Sequence, residues 1–287
     1  MRRDADPAAQ VRKGGGAADM MFPVAALVVS YHTGPRLTEC LYALKSDPAI
    51  SEIIIADNGN PAEVQAWLDT FVTTSAGKVK LIRLENPGFG AAVNRAALET
   101  GASILLVINP DCVIRRGSVQ QLAEALEGTA GPAIVGGRIF GVDGKEQRGA
   151  RRNTLTLPVA LGLSRWTLET LPAPQGSVRV GAISGAFFMM RRADFQMLGG
   201  FDERYFLHVE DVDLCRRAIE AGGAVIYQPL AGALHYTSTS DVPSATVQAH
   251  KAQSLARYFR KFAKGPLERA FVELCVPFIA LALKLRR

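Results

Sequence analysis

Five acids crowd into twelve residues of one segment: Asp202, Glu203, Glu210, Asp211 and Asp213, with Tyr205 and Phe206 among them. The pattern predicts that Glu210, Asp211 and Asp213 lie in the first turn of a helix. One or two acids there would complement the helix dipole, at ~0.3–1 kcal/mol each. Five point to a site where a carboxylate takes a proton from a hydroxyl. A general base needs its oxygen within ~3 Å of the oxygen it deprotonates, and burial or like-charge crowding raises its pKa.

Further polar groups stand where apolar runs end. Asp57 and Asn58 follow residues 53–56 (IIIA). A carboxylate there accepts from a nucleobase imide or a ribose hydroxyl, or else satisfies its own Asx-turn. Asn86-Pro87-Gly88-Phe89-Gly90, followed by Asn94, is a Gly-rich loop entering a helix. It matches neither a dinucleotide fingerprint nor a P-loop. Its glycines either let the backbone approach a nucleotide or serve only the loop's own torsions. Asp111, after Asn109 and Pro110, is an oxygen ligand for Mg²⁺ or Mn²⁺ bridging a diphosphate, or a turn residue. Magnesium takes only one or two protein carboxylates and fills its shell with phosphate and water. His235 gains meaning as a phosphate or metal ligand only in combination with Asp111.

These groups need elements to hold them. Residues 24–30 (VAALVVS) form a continuous apolar run of strand length, and 53–56, 79–84 and 103–109 repeat it. Helical spacing occupies 37–45, 62–71, 90–100 and 118–127. Strands alternating with helices imply a doubly wound α/β sheet, mainly parallel. Ligands bind beyond the carboxyl ends of such strands. Ser30-Tyr31-His32, Asp57-Asn58 and Asn109-Pro110-Asp111 stand there, although turns also require polar residues. Further on, 134–140 and 186–191 read as strands and 212–221 as a helix. Residues 225–228 read as a short strand before Pro229, and the chain from 247 as helical. Residues 141–180 are dotted with Pro and Gly and show little period. Residues 1–21 read as a disordered tail, 22–245 as one catalytic domain and 246–287 as a helical segment.

The composition, 48% hydrophobic and 21% charged over 287 residues, excludes a wholly disordered or collagen-like chain. No run reaches the ~20 apolar residues of a membrane span, and no signal peptide is read. Cys40, Cys112, Cys215 and Cys275 form no zinc spacing, so reduced cytoplasmic thiols are expected. A net charge of +6 fits a phosphate-bearing partner. No recognition motif or aromatic-basic stripe supports nucleic acid. The basic clusters at Arg148, Arg151 and Arg152 and along 257–264 read as solvated faces.

Seven segments carry a resemblance: VVSYHTG (28–34), IIADNGN (54–60), ENPGFGAAVNRA (85–96), LLVINPDC (105–112), SGAFFMMRR (184–192), GGFDERYFLHVEDVDLCRR (199–217) and LHYTSTS (234–240). In this order they resemble the inverting family 2 glycosyltransferases of the GT-A fold, in particular the bacterial rhamnosyltransferase-like branch. The resemblance implies a Rossmann-like, mainly parallel mixed sheet flanked by helices. It implies transfer of a sugar from a nucleotide-diphospho-sugar, with dTDP-rhamnose favoured, to a hydroxyl of a glycan or polyprenyl-diphosphate-linked acceptor in envelope polysaccharide synthesis. Ser30, Tyr31, Asp57, Asn58, Asn86, Gly88, Asn94 and Asp111 would surround the nucleotide, with Asp57 holding uracil or thymine. Asp111 and His235 would hold the metal ion. Asp211 would be the catalytic base, supported by Glu210. Gly185 and Ala186 would let the chain pass close to sugar and acceptor. Asn109 stands where a stricter metal motif has aspartate. A catalytically silent sugar-nucleotide or glycan-binding protein is the competing reading, and the retained Asp111, Glu210 and Asp211 argue against it.

Residues 270–285 are interrupted only by Glu273, Pro277 and Lys284. As a helix they reach ~24 Å at ~1.5 Å per residue, short of a ~30 Å hydrocarbon core. An apolar helix with a thin polar stripe and basic ends suits lying in a membrane interface. The alternative is packing on the catalytic domain or on a second subunit of a homodimer. The first reading puts a cytoplasmic protein peripherally on the inner face of the cell membrane.

Overall fold

The computed structural model describes residues 23–164, 166–236 and 244–285. The first half alternates strands and helices: β1 (Val24–Ser30), α1 (Arg36–Ser46), β2 (Ile50–Asp57), α2 (Ala62–Thr73), β3 (Val79–Arg83), α3 (Phe89–Leu98) and β4 (Ile104–Ile108). Then come β5 (Cys112–Ile114), α4 (Ser118–Glu127), β6 (Ala133–Phe140), β7 (Arg151–Arg152), α5 (Leu157–Ala160), β8 (Val178–Arg179), β9 (Ala182–Ile183), β10 (Phe187–Arg191) and α6 (Arg192–Met197). The chain ends with α7 (Glu210–Glu220), β11 (Ala224–His235), α8 (Ser244–Phe262) and α9 (Pro266–Leu285). The expected disordered tail, residues 1–21, lies outside the described residues.

The main sheet runs β3-β2-β1-β4-β10-β6-β11-β5, with β8 added to β11. Strands β3, β2, β1 and β4 are mutually parallel, as the alternation with helices requires. Strand β10 runs antiparallel to both β4 and β6, and β5 antiparallel to β11. Strand β1 shows why continuous apolar runs were needed. Ala25, Leu27 and Val29 face one core, with Val93 of α3, Val212 of α7 and Tyr258 of α8. Val24, Ala26 and Val28 face the other, with Leu41 of α1, Leu68 of α2 and Leu122 of α4. Both faces are covered, so no polar alternation appears.

Register sets the functional edge. Ser30 pairs with Asp57, and Asp57 with Arg83. Val28 and Phe187 both pair with Ile108, and His235 pairs with Cys112. The carboxyl ends of β1, β2 and β4 therefore meet the start of β10 and the end of β11.

Two expectations are corrected, and one strand went unread. The short strand at 225–228 is the first part of β11, which resumes after a bulge and carries His235 to the sheet edge. Its register against β6 jumps from Gln228 to Gly232, so Pro229, which has no N–H to give, falls in the bulge. Strand β5, only three residues long, was too short to show periodicity. Arg151 and Arg152 are buried, not solvated. Arg151 pairs with Glu146 at 2.7 Å and donates to the Leu171 carbonyl at 2.7 Å. The partner of Arg152 lies 59 residues away.

Candidate active site

At the β1–β2 end, the two oxygens of Asp57 do different work. Oδ1 accepts the N–H groups of Gly59 and Asn60 and the Asn60 amide, at 3.1, 2.9 and 2.8 Å, so the Asx-turn reading holds for this oxygen. Oδ2 is buried without a hydrogen-bond partner among the described residues, its nearest cation being the Arg83 guanidinium at 3.9 Å. Buried polar atoms are nearly always satisfied, so this acceptor is open to a donor from water or from a ligand. Asn58 Oδ1 is orphaned beside it, while its Nδ2 donates to Asn86 Oδ1 at 3.4 Å. Asn60, read from sequence only as part of a turn, is the knot of this corner. It donates to Ser30 Oγ at 3.0 Å and accepts from the His32 N–H at 2.8 Å. Ser30 is thereby committed to the frame, and Tyr31 stands partly exposed with its ring edge on His32.

At the β4 end, Asp111 Oδ1 lies 3.4 Å from His235 Nε2. The tautomer of His235 follows from one side chain that the sequence reading missed, Gln147. Its Nε2 donates to the His235 carbonyl at 2.7 Å, which leaves its Oε1 facing His235 Nδ1, also at 2.7 Å. Nδ1 therefore carries a proton, and Nε2 is the ring nitrogen that faces Asp111. One carboxylate and one imidazole suit Mn²⁺ or Mg²⁺ with phosphate oxygens and water completing the shell. Cys112 joins this group within 4.8 Å, but burial and then the Asp111 charge push its thiol far above its ordinary range, so it stays protonated. Asn109, in the place of a second acid, brings its amide to 3.5 Å from His235 Nε2. Residues 237–240 of the last resemblance segment lie outside the described residues.

At the start of α7, Asp211 is held from three sides. Its Oδ2 accepts from Arg152 at 2.6 Å and from the Gly185 N–H at 2.9 Å. Its Oδ1 accepts from the Val212 N–H at 2.8 Å. Burial pushes the Asp211 carboxyl up, but the Arg152 charge and these hydrogen bonds more than offset it, and the group is held low. Glu210 goes the other way: burial, then the Asp211 charge, raise it, and its Oε2 has no hydrogen-bond partner among the described residues. The two acids thus differ in protonation, which is how neighbouring carboxyls acquire separate roles. His208 and Val209 both lie in the left-handed region, with φ of 67° and 72°. A β-branched residue there is strained, and such strain concentrates at functional sites.

Other acids of the segment are structural. Asp213 is fully buried and bridges Arg217 of α7 to Lys261 of α8, each at 2.6 Å. Asp202 is held by Arg204 and Lys261. Asn94 spends its amide on the same segment, accepting from the Phe201 N–H and donating to its carbonyl, both at 2.9 Å. It clamps α3 to the loop before α7. Gly88, at φ 99°, gives the Gly-rich loop its second contact there, because a Cβ would stand 2.6 Å from the Phe206 carbonyl oxygen.

The Gly185-Ala186 dipeptide joins the two chemical ends. Gly185 binds Asp211, and the Ala186 carbonyl accepts from the Asn109 N–H at 2.9 Å. A side chain at Gly185 would meet Asp211 Cβ at 3.2 Å.

The profile of glycosyl transferase family 2 matches residues 26–199, more than half of the chain. The chain belongs to glycosyl transferase family 2. Among curated relatives of this glycosyltransferase is the N-acetylglucosaminyl-diphospho-decaprenol L-rhamnosyltransferase of Mycobacterium tuberculosis (strain H37Rv). It is 30% identical over 265 residues, which cover 80% of this chain and 81% of the relative. Rhamnosyltransferase WbbL of Escherichia coli K12 is 43% identical over 53 residues, 18% of this chain and 20% of WbbL. Among solved structures, GalNAc-T7 with UDP, GalNAc and Mn²⁺ matches with a TM-score of 0.68 at 16% identity, over 86% of this chain and 49% of that one. The Pyrobaculum calidifontis mannosyltransferase PcManGT with GDP-Man and Mn²⁺ gives 0.59 at 15%, over 93% and 75%. The fold of this glycosyltransferase is GT-A, and the rhamnosyltransferase-like resemblance is borne out.

Proposed function

We propose that this glycosyltransferase moves a sugar, favoured as rhamnose from dTDP-rhamnose, to a hydroxyl of a polyprenyl-diphosphate-linked glycan, with inversion at the anomeric carbon. One observation carries the reading. Gly185 and Ala186 bond at one end to Asp211 and at the other to Asn109, two residues from Asp111, so a proton acceptor and a cation-binding acid flank one short strip of backbone. The Mycobacterium relative, whose name states a diphospho-decaprenol acceptor and L-rhamnose, supports the choice of sugar and acceptor.

The residues divide the work. Asp57 Oδ2 and Asn58 Oδ1 accept hydrogen bonds from the nucleoside, and the Asn86–Gly88 loop closes on it. Asp111 and His235 would hold Mg²⁺ or Mn²⁺, whose charge stabilises the departing nucleoside diphosphate. Asp211 accepts the acceptor hydroxyl's proton as that oxygen attacks the anomeric carbon from the face opposite the diphosphate. Glu210, held neutral, keeps a second negative charge away from that carboxylate.

Helix α9 is proposed as the membrane contact. Val272, Cys275 and Ile279 are buried, so the packing alternative accounts for one face. Leu267, Phe271, Leu274, Phe278 and Leu281, at helical spacing, leave a second apolar face exposed. No helix among the described residues is long and apolar enough to cross a membrane. An interfacial position beside a lipid-linked acceptor accounts for that face. A second copy of the chain is the competing occupant.

The test is a thermal-shift panel of dTDP-, UDP- and GDP-sugars with and without Mn²⁺. A ligand at ~100 times its Kd stabilises by about 2.7 kcal/mol. dTDP-rhamnose should raise Tm most, and more with the ion. A panel in which no nucleotide raises Tm overturns the reading.

A further inference from the structure

Asp211 is tied to a segment that its own helix does not touch in sequence. Arg152, on β7, donates from Nη2 to Asp211 Oδ2 at 2.6 Å and also to the Ile183 carbonyl. Its guanidinium lies 4.7 Å from the ring centre of Trp166, which itself donates to the Asn153 carbonyl. The two charged side chains are 10% and 14% exposed. Strand β7 is only two residues long, and its pairing with β9 puts Arg152 opposite Ala182. The ion pair, the Ile183 carbonyl and the Trp166 face thus converge on one guanidinium.

Two donors from separate elements, Arg152 and the Gly185 N–H, meet on the same oxygen of Asp211. That arrangement stops the carboxylate from rotating and leaves Oδ1 with a lone pair beyond its bond to the Val212 N–H. A pair built for stability alone would spend the guanidinium's buried donors, because unsatisfied ones are costly. Here, among the described residues, Arg152 Nε is buried without a hydrogen-bond partner, and so are Glu210 Oε2 and His208 Nε2. His208 is near enough to Asp211 and Arg152 to feel both charges. Unspent polar atoms around one fixed carboxylate suit a ligand rich in hydroxyls.

We propose that Arg152 is the positioning residue of the transfer step, pinning one oxygen of Asp211 so that the other meets the acceptor hydroxyl. This rests on Asp211 being the base. The cation also keeps Asp211 ionised against its burial. Among the described residues, the other charged or titratable groups around this pair are Glu210, Asp213 and Cys215 on α7, His208 before it, and Lys251 and His250 on α8 behind His208. Without the guanidinium, burial raises the Asp211 carboxyl, so the acid limb of activity moves to higher pH.

The experiment compares Arg152→Gln, Arg152→Lys and Asp211→Asn in kcat/KM from pH 5 to 9, with donor-nucleotide affinity and Tm measured alongside, at a temperature where each variant is folded. Arg152→Gln keeps a donor and loses the charge. It should lose roughly 10²-fold in kcat, the scale of a misplaced reacting group, with its acid limb shifted up and donor affinity unchanged. Arg152→Lys restores the charge and should restore the wild-type limb. A wild-type limb and rate in Arg152→Gln, with Asp211→Asn inactive, overturns the positioning role alone. A parallel loss of donor affinity in both Arg152 variants also overturns it, as a structural effect. Turnover in Asp211→Asn removes the base reading beneath it.

Discussion

Asp57→Asn separates the two jobs that one carboxylate performs. The three N–H groups on Oδ1 fix the turn at Gly59 and Asn60. The asparagine carbonyl can keep all three, as neutral rather than charge-assisted bonds. The difference is roughly 1 kcal/mol each at most, so the folded state should lose about 1–3 kcal/mol. For a domain of this size that lowers Tm by ~2–4 °C per kcal/mol. The amide nitrogen then replaces Oδ2, the orphaned acceptor. A donor facing a nucleobase imide N–H forfeits a charge-assisted bond of ~1.5–3 kcal/mol, or roughly 10- to 150-fold in Kd at ~1.4 kcal/mol per decade. Titration calorimetry with dTDP and Mn²⁺ measures this loss. A Kd equal to wild type in a folded Asp57→Asn protein would refute the assignment of Oδ2 to the nucleoside, and a collapse of Tm beyond the turn's share would show a purely structural role.

Three other outcomes follow from the geometry. Gln147→Leu leaves the His235 ring free to turn and should weaken Mn²⁺ binding, read by paramagnetic relaxation of water, by ~10–100-fold; unchanged affinity contradicts the orienting role of Gln147. Glu210→Gln should be more stable than wild type at pH 8 and equal to it at pH ~3.5, below the unfolded value. The sign follows because a carboxyl raised in the folded state binds its proton more tightly there, so wild-type stability falls as pH climbs past the unfolded value of ~4.3; a pH-independent Tm difference contradicts the buried neutral acid. Leu274→Ser with Phe278→Ser should abolish flotation of the full chain with anionic vesicles, whereas equal flotation removes the membrane role of α9.

The paired-strand half of this fold was readable because burial on both faces forces unbroken apolar runs, as in β1 and β4. The strand-end acids Asp57 and Asp111 were readable for the complementary reason: polar residues directly after such runs must sit at the sheet edge. What stayed hidden was made by contacts across long sequence distances. Arg152 reads as one of a basic cluster until Asp211, 59 positions on, lies against it. Gln147 has no pattern of its own and gains its role only when the antiparallel β5–β11 pairing brings His235 to Asp111. Asn94, placed with the nucleotide by resemblance, has a further role that no pattern announced: its amide bonds the loop before α7.

Single-turnover transfer by Asp211→Asn, with donor affinity measured on the same preparation, tests the assignment on which the rest depends. If Asp211 is the base, the rate falls by at least ~10²–10⁴-fold, the contribution of a positioned proton acceptor, with dTDP-sugar affinity retained. Near-wild-type turnover by a folded, donor-binding Asp211→Asn enzyme would contradict it.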